Sequence, residues 1–227
     1  MLVQETMQTN GKNVPVKKQA RAITFDLYDK NHAKRKDTEA FVANGFKAAY
    51  NADINHFLPM LLQLTMLDQK AVLGLRSATS TLFIEQYLPR TRELMSYFHP
   101  ATAKQDVIEI GNLHSSNKAL TAQLLLVTAV ALFMCEKKYM VFSATAQVRH
   151  MLTKTGINLE SICKANKAKL VDSAEHWGSY YQTSPEVIVV DLHNVMNVVS
   201  TTSHYHGMFR KLSQDIAKLS NQLRINL

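Results

Sequence analysis

The run Ala119–Cys135, ALTAQLLLVTAVALFMC, is apolar on every side, and a helix with no polar stripe must be covered all round. Its 17 residues, at about 1.5 Å each, reach about 25 Å, short of the ~30 Å hydrocarbon layer of a membrane. Thr121, Gln123 and Thr128 also interrupt it. The expectation is therefore a buried helix inside a layered α/β core, with membrane insertion as the alternative. A chain of 227 residues can supply that cover as one large domain. With 7 Gly and 5 Pro, it is not collagen-like, disordered or linker-dominated.

The flanking pattern agrees with one mixed sheet. Ile23, Phe25 and Leu27 alternate with polar residues as in a half-buried strand, and Val42, Phe46 and Ala49 mark a helix over 37–50. MLLQLTML at 60–67 and AVLGLRSA at 71–78 form a hairpin pattern around Asp68-Gln69-Lys70, with Gly74 hinting at a bulge. Residues 79–105 read as an irregular insertion containing a short helix from Arg90 to Phe98, stopped by Pro100. Asp106–Ile110 is strand-like and broken by Gly111-Asn112; Ser115, Ser116 and Asn117 then offer caps for the apolar helix. Tyr139–Ser143 reads as a strand, and Val148, Met151 and Leu152 mark a helix stopped by Gly156. Asn158–Val171 reads as partly helical, and EVIVVDL as a last strand.

The expected division is a flexible lead-in over 1–19, a single domain over 20–192, and a tail over 193–227. In that tail a polar connector, TTSHYH, precedes an amphipathic helix carrying Met208, Leu212, Ile216, Leu219 and Leu223. This helix packs on its own domain, forms a dimer seam, or lies on a lipid surface. No secretory signal is visible, and 2 cysteines without a C-x-x-C spacing suit a reducing compartment. The expected location is cytoplasmic, with membrane association as the alternative. A net charge of +8 favours acidic partners.

Six strings stand in a fixed order: NHFLP at 55–59, AVLGLRSA at 71–78, LFIEQYL at 82–88, EIGNL at 109–113, VFSAT at 141–145 and WGSYY at 177–181. Together, over roughly residues 20–192, the chain resembles the thermostable hemolysin family. That family in turn is similar to the GNAT superfamily of N-acyltransferases and to the acyl-homoserine lactone synthases. The resemblance implies a GNAT-like mixed α/β fold, with an inserted segment at about 79–105 and an extra C-terminal helix. It also implies a sheet splayed at the strand bearing EIGNL, where an acyl thioester lies against free backbone. The glycine-rich pyrophosphate loop of many acetyl-CoA users is missing, since the chain reads NLHSSNKAL there.

Acyl transfer to an amine needs a proton acceptor, and Glu109 and Glu85, both in apolar strings, are the candidate bases or amine anchors. Glu109 could equally pair with Arg76, a candidate substrate-binding residue, and Glu85 could be solvated. Gly111 and Asn112 are candidates for backbone oxyanion donors, or merely a strand end. Tyr180 or Tyr181 could assist the leaving thiol, although adjacent tyrosines on a strand face opposite ways. Trp177 lines the substrate site or fills the core. Ser115, Ser116 and Asn117, with Arg149, Lys154 and the lysines up to Lys169, could hold a phosphopantetheine arm or dock an acidic acyl carrier protein, or form a solvated face. The donor is thus an acyl-carrier-protein or CoA thioester, and the missing glycines favour the carrier protein. The acceptor is a small amine.

No H-E-x-x-H, no G-x-S-x-G and no P-loop string occurs, and the basic residues are dispersed. Neither a metal site, a serine hydrolase, a P-loop NTPase nor nucleic-acid binding is expected. The two functional readings are an N-acyltransferase making an amphiphilic product, and a membrane-active hemolysin that lyses cells directly.

Overall fold

Seven strands form one sheet in the order β1-β2-β3-β4-β5-β7-β6: β1 Ile23–Tyr28, β2 Met60–Met66, β3 Gln69–Ser77, β4 Val107–Ser115, β5 Tyr139–Ala144, β6 Glu160–Lys164 and β7 Glu186–Asp191. All neighbours are antiparallel except β4 and β5. The parallel pair needs a crossover, and α2 Lys118–Met134 provides it. The computed structural model describes residues 23–89, 91, 93–170 and 174–227; the expected lead-in over 1–19 lies outside them.

The apolar run is helical because Asn117 caps it, its side-chain oxygen accepting from the Ala119 N–H at 2.9 Å, and because Leu and Ala dominate it. Leu120 and every residue from Leu124 to Leu132 are buried. The cover comes from inward residues of the sheet such as Leu62, Leu73, Ile108 and Phe142, from α4 Leu192–Thr201, and from α6 Ser213–Asn226. Among the described residues, no helix is long and apolar enough to cross a membrane. The other sheet face carries α1 Arg35–Tyr50 over β2 and β3, through Val42, Phe46, Leu61 and Val72. Beside it, 3-10 turns at Phe83–Tyr87 and Leu94–Tyr97 cover Val107, Val141 and Val187.

Several local expectations change. The hairpin turn is Leu67-Asp68, because Met66 already pairs with Gln69. The expected helix from Arg90 to Phe98 is only the single 3-10 turn Leu94–Tyr97, and Arg90 lies outside the described residues. Residues 158–171 contain β6 and a 3-10 turn at Lys167–Lys169 instead of a helix, Val171 lying outside the described residues. The β6–β7 register shifts between Ser161 and Cys163, and a bulge in so short an edge strand erases the period-two signal. The tail is helical ahead of and through the expected connector: Leu192, Val195 and Val199, spaced like one helix face, are the buried residues of α4, and TTSHYH runs from the end of α4 across Thr202 into α5 Ser203–Lys211. The C-terminal apolar stripe breaks at Leu212 between α5 and α6. The Leu212, Ile216, Leu219 and Leu223 face packs into the core of its own chain.

Candidate functional site

Gly111-Asn112 does not end β4. Val72 pairs with His114 and Gly74 with Gly111, so two β4 residues, Asn112 and Leu113, oppose Leu73 alone. This is a bulge, and Asn112 takes φ 50° to make it. The kink swings β4 away from β5. Their pairing stops after Val107↔Tyr139, Ile108↔Met140 and Glu109↔Val141, whereas β5 stays with β7 as far as Ala144. A wedge opens through the sheet, continuous with a cavity of about 590 Å³. Ile110, Gly111 and Leu113 line one wall, and Phe142, Ser143 and Thr145 the other. In a ladder paired on one side only, alternate peptide groups of β4 point into such a wedge.

The segment between α1 and β2 lines the cavity and lies over β3 and β4. Leu58 packs over Gly74 and Gly111: a Cβ on either would stand 2.8 Å or 2.9 Å from its side chain. Asn112 holds the same segment, its Oδ1 accepting from the Leu58 N–H at 2.8 Å and its Nδ2 donating to the His56 carbonyl at 3.1 Å. The buried Arg35 guanidinium donates to the carbonyls of Leu58, Pro59 and Tyr28. Room for Leu58 thus accounts for Gly111, and the Asn112 side chain is a structural tie; any oxyanion contact falls to backbone N–H groups at the bulge.

Glu109 faces the cavity from β4 and is 1% exposed. Its Oε1 accepts from the Ile84 N–H at 2.9 Å, which the 3-10 turn after Leu82 aims at it. Among the described residues its Oε2 has no hydrogen bond of good geometry, although the Phe83 N–H lies close enough to the carboxylate to favour its charged form. Arg76, opposite it in the ladder, stops 3.9 Å away, and its Nη1 donates to the Thr81 carbonyl at 2.9 Å. Burial pushes the Glu109 carboxyl above the usual carboxylate range, against the lowering effect of the Ile84 and Phe83 N–H groups and of Arg76. Glu85 is not a cavity residue: its carboxylate folds back to accept from the Leu82 N–H at 2.9 Å. From there its negative charge raises the Glu109 value further.

An aromatic cluster forms the far wall. Tyr180 and Tyr181 sit on a 3-10 turn, Tyr180–Thr183, not on a strand, so they do not point to opposite faces; their rings meet edge to face at 5.3 Å. Tyr180 is buried, lines the cavity and reaches Ser143, with its hydroxyl 3.3 Å from Oγ. Tyr181 lies behind it, 2.6 Å from the Tyr87 hydroxyl. Burial raises the Tyr180 phenol and pushes that of Tyr181 up to about 12, so both stay protonated near neutrality. Trp177 lines the cavity between Phe83 and Tyr180. The cluster is fixed by Gly178, at φ 48°, whose missing Cβ would meet the Tyr50 carbonyl oxygen. Gly178→Ala is expected to cost roughly 2 kcal/mol, lowering the melting temperature by roughly 6 °C in a chain of this size, as calorimetry would measure.

The expected docking residues do not reach the cavity. The Ser115 and Ser116 hydroxyls are spent on the Asn117 and Lys70 carbonyls, and Asn117 on its cap. Arg149 bonds the Ala144 and Ser184 carbonyls and pairs with Glu186 at 3.0 Å. Lys169 holds the Tyr87 carbonyl at 2.7 Å, and Lys154 is exposed at the end of α3 Ala146–Lys154. Sequence reasoning missed Ser143, Phe46, Tyr50, Tyr87 and the wall at 53–57. Phe46 and Tyr50 share the helix face of Val42, and that pattern signals core as readily as cavity. Among the described residues, no group of three His, Cys, Asp or Glu side chains could hold a metal ion.

The fold has solved counterparts. The AHL synthase LasI aligns with TM-score 0.51 at 12% identity, covering 76% of this chain and 91% of its own. A CoA-dependent acyl-homoserine lactone synthase, BjaI, with SAM and isopentyl-CoA aligns with TM-score 0.52 at 10% identity, covering 79% and 89%. At such identities the likeness is one of fold, and the fold is GNAT-like. No curated protein sequence matches the chain. The thermostable hemolysin family model matches residues 28–196, three quarters of the sequence, and the chain belongs to that family.

Proposed function

We propose that the protein is an N-acyltransferase that moves a fatty acyl group from a carrier-protein or CoA thioester to a small amine. The observation that carries this reading is the splay of β4 from β5, which leaves a largely apolar cavity beside a buried carboxylate with one unbonded oxygen. An acyl thioester laid in the wedge would present its carbonyl to the free peptide groups of β4, as donors for the tetrahedral oxyanion. Glu109 takes a proton from the ammonium form of the acceptor. The amine nitrogen then bonds the carbonyl carbon, the C–S bond breaks, and the thiolate leaves with the second proton from nitrogen, while Tyr180 offers it a hydrogen bond. The Glu109 proton passes to solvent. A thioester-dependent synthase of known structure shares the fold, which agrees with this donor class.

An N-acyl product is amphiphilic, and a detergent-like product accounts for a hemolysin family name without a pore. With Ser115, Ser116 and Asn117 engaged elsewhere, donor docking falls to other groups at the cavity, of which Lys30 is the exposed cation. The test is mass spectrometry of lipid extracts from cells overproducing the protein. A new N-acylated species, absent with Glu109→Gln, is expected; identical lipid profiles for both proteins and for empty cells would overturn the reading.

A further inference from the structure

Arg76 and Glu109 stand directly opposite across β3 and β4, on the same sheet face, and both line the cavity. Such a pair ordinarily closes into a charge-assisted hydrogen bond at about 2.7–2.9 Å. This one stays open at 3.9 Å. Arg76 makes one hydrogen bond among the described residues, to the Thr81 carbonyl, while the inner Glu109 oxygen makes none of good geometry, the Phe83 N–H only lying near the carboxylate. Two opposite charges therefore face one cavity, each with unused hydrogen-bonding capacity.

The gap discriminates among amines. A plain ammonium seated on Glu109 Oε2 would lie close to the Arg76 guanidinium, whose like charge opposes it. An amine with a carboxylate on the adjacent carbon removes the conflict. Its ammonium meets Glu109, its carboxylate meets Arg76, and the four charges alternate in sign around a square. Arginine suits this role because its planar fork matches a carboxylate. The neighbouring wall is aromatic, with Phe83 and Trp177 at 5.6 Å between ring centroids, and favours an apolar substituent on the same carbon.

We infer that the acceptor is an apolar α-amino acid, its ammonium held by Glu109 and its carboxylate by Arg76; this rests on the acyl-transfer reading and narrows its acceptor. Only the ammonium gives up protons in the transfer, one to Glu109 and one with the departing thiol, and the carboxylate stays on Arg76 throughout.

Trp177 is the chain's one tryptophan and lines the cavity, so its emission reports occupancy without any acyl donor. Leucine and phenylalanine are titrated against their decarboxylated counterparts, isopentylamine and phenethylamine. The amino acids are expected to bind at least tenfold more tightly than the amines, on the order of one charge-assisted contact. Arg76→Gln should bring the two classes within about twofold, and Arg76→Lys should restore part of the difference. Amines binding as tightly as amino acids, a preference that survives Arg76→Gln, or no saturable signal from either amino acid would overturn the inference. The wild-type comparison decides even if Arg76→Gln fails to fold. Transfer assays with the same four compounds separate the two levels. Equal acylation of amines and amino acids removes this inference and leaves the acyltransferase; preferential amino-acid binding with no acylation of any compound removes the acyltransferase.

Discussion

Glu109→Gln is expected to lower acyl transfer by about 10²- to 10⁴-fold, the usual worth of a positioned general base, and to raise the melting temperature at pH 8. The second half follows from linkage. Burial raises the folded-state value of this carboxyl above that of the unfolded chain, so the folded protein holds the proton more tightly. Below the unfolded value the carboxyl is neutral in both states and costs nothing. As pH rises through the higher folded value, an unpaired charge develops in a buried place and stability falls. Glutamine removes that charge and can still accept from the Ile84 N–H through its amide oxygen. The gain is therefore expected at pH 8, at a few degrees for a chain of this size, and should vanish near pH 4. The same shift displaces the acid limb of kcat/KM to a pH above the usual carboxylate range, and the glutamine variant should lack that limb. A purely structural Glu109–Arg76 pair predicts the opposite sign, because removing one partner of a buried ion pair costs about 3–5 kcal/mol. Calorimetry at the two pH values, run beside the kinetics, decides between a base and a strut.

The sequence is most legible where burial is simple. β1 and α1 bury one face and keep its period, whereas α2 and β7 are apolar runs buried on all sides, and all four stand where the sequence places them. β6 failed because a bulge breaks its alternation, and α4 failed because polar residues flank its three buried positions. In the site, Glu109 was legible because a carboxylate inside an apolar strand needs a reason. The glycine and asparagine after it were legible as an irregularity, though not as a bulge, since an extra residue shows only against the partner strand. Glu85 shares the apolar setting of Glu109, but its carboxylate satisfies its own turn, and nothing local in LFIEQYL distinguishes the two. The aromatic wall draws on α1, the 79–105 insertion and the 174–183 turns, segments far apart in sequence that meet only once the sheet has formed.

Leu219→Asp should be the most destabilising change in the C-terminal region, and its effect separates the roles open to α6. Leu219 is 1% exposed and, with Ile216 and Leu223, closes the face of α2 that the sheet does not cover. The attachment is specific: the Cys135 thiol donates to the Ser220 carbonyl at 3.0 Å, and Arg224 caps α2 by donating to the Met134 carbonyl at 2.7 Å. A carboxylate at Leu219 would lose the apolar burial and strand a charge beside α2. Leu→Ala at such a site costs about 2–5 kcal/mol, and the acid more, out of a total of roughly 5–15 kcal/mol. The expected result is aggregated protein or a melting temperature lower by more than about 10 °C, whereas Lys218→Asp on the exposed side should change stability by less than about 0.5 kcal/mol. A helix held by lipid or by a second copy predicts a different pattern: an unaltered melt, with loss of leakage from dye-loaded anionic vesicles or loss of the dimer in sedimentation. Direct lysis through α2 or α6 would require these two helices to part, exposing the most apolar surface of the chain. Intact wild-type protein, without thioester or amine, is accordingly expected to leave such vesicles sealed, and prompt leakage at a rate that Leu219→Asp increases would show that the helix pair opens on a membrane.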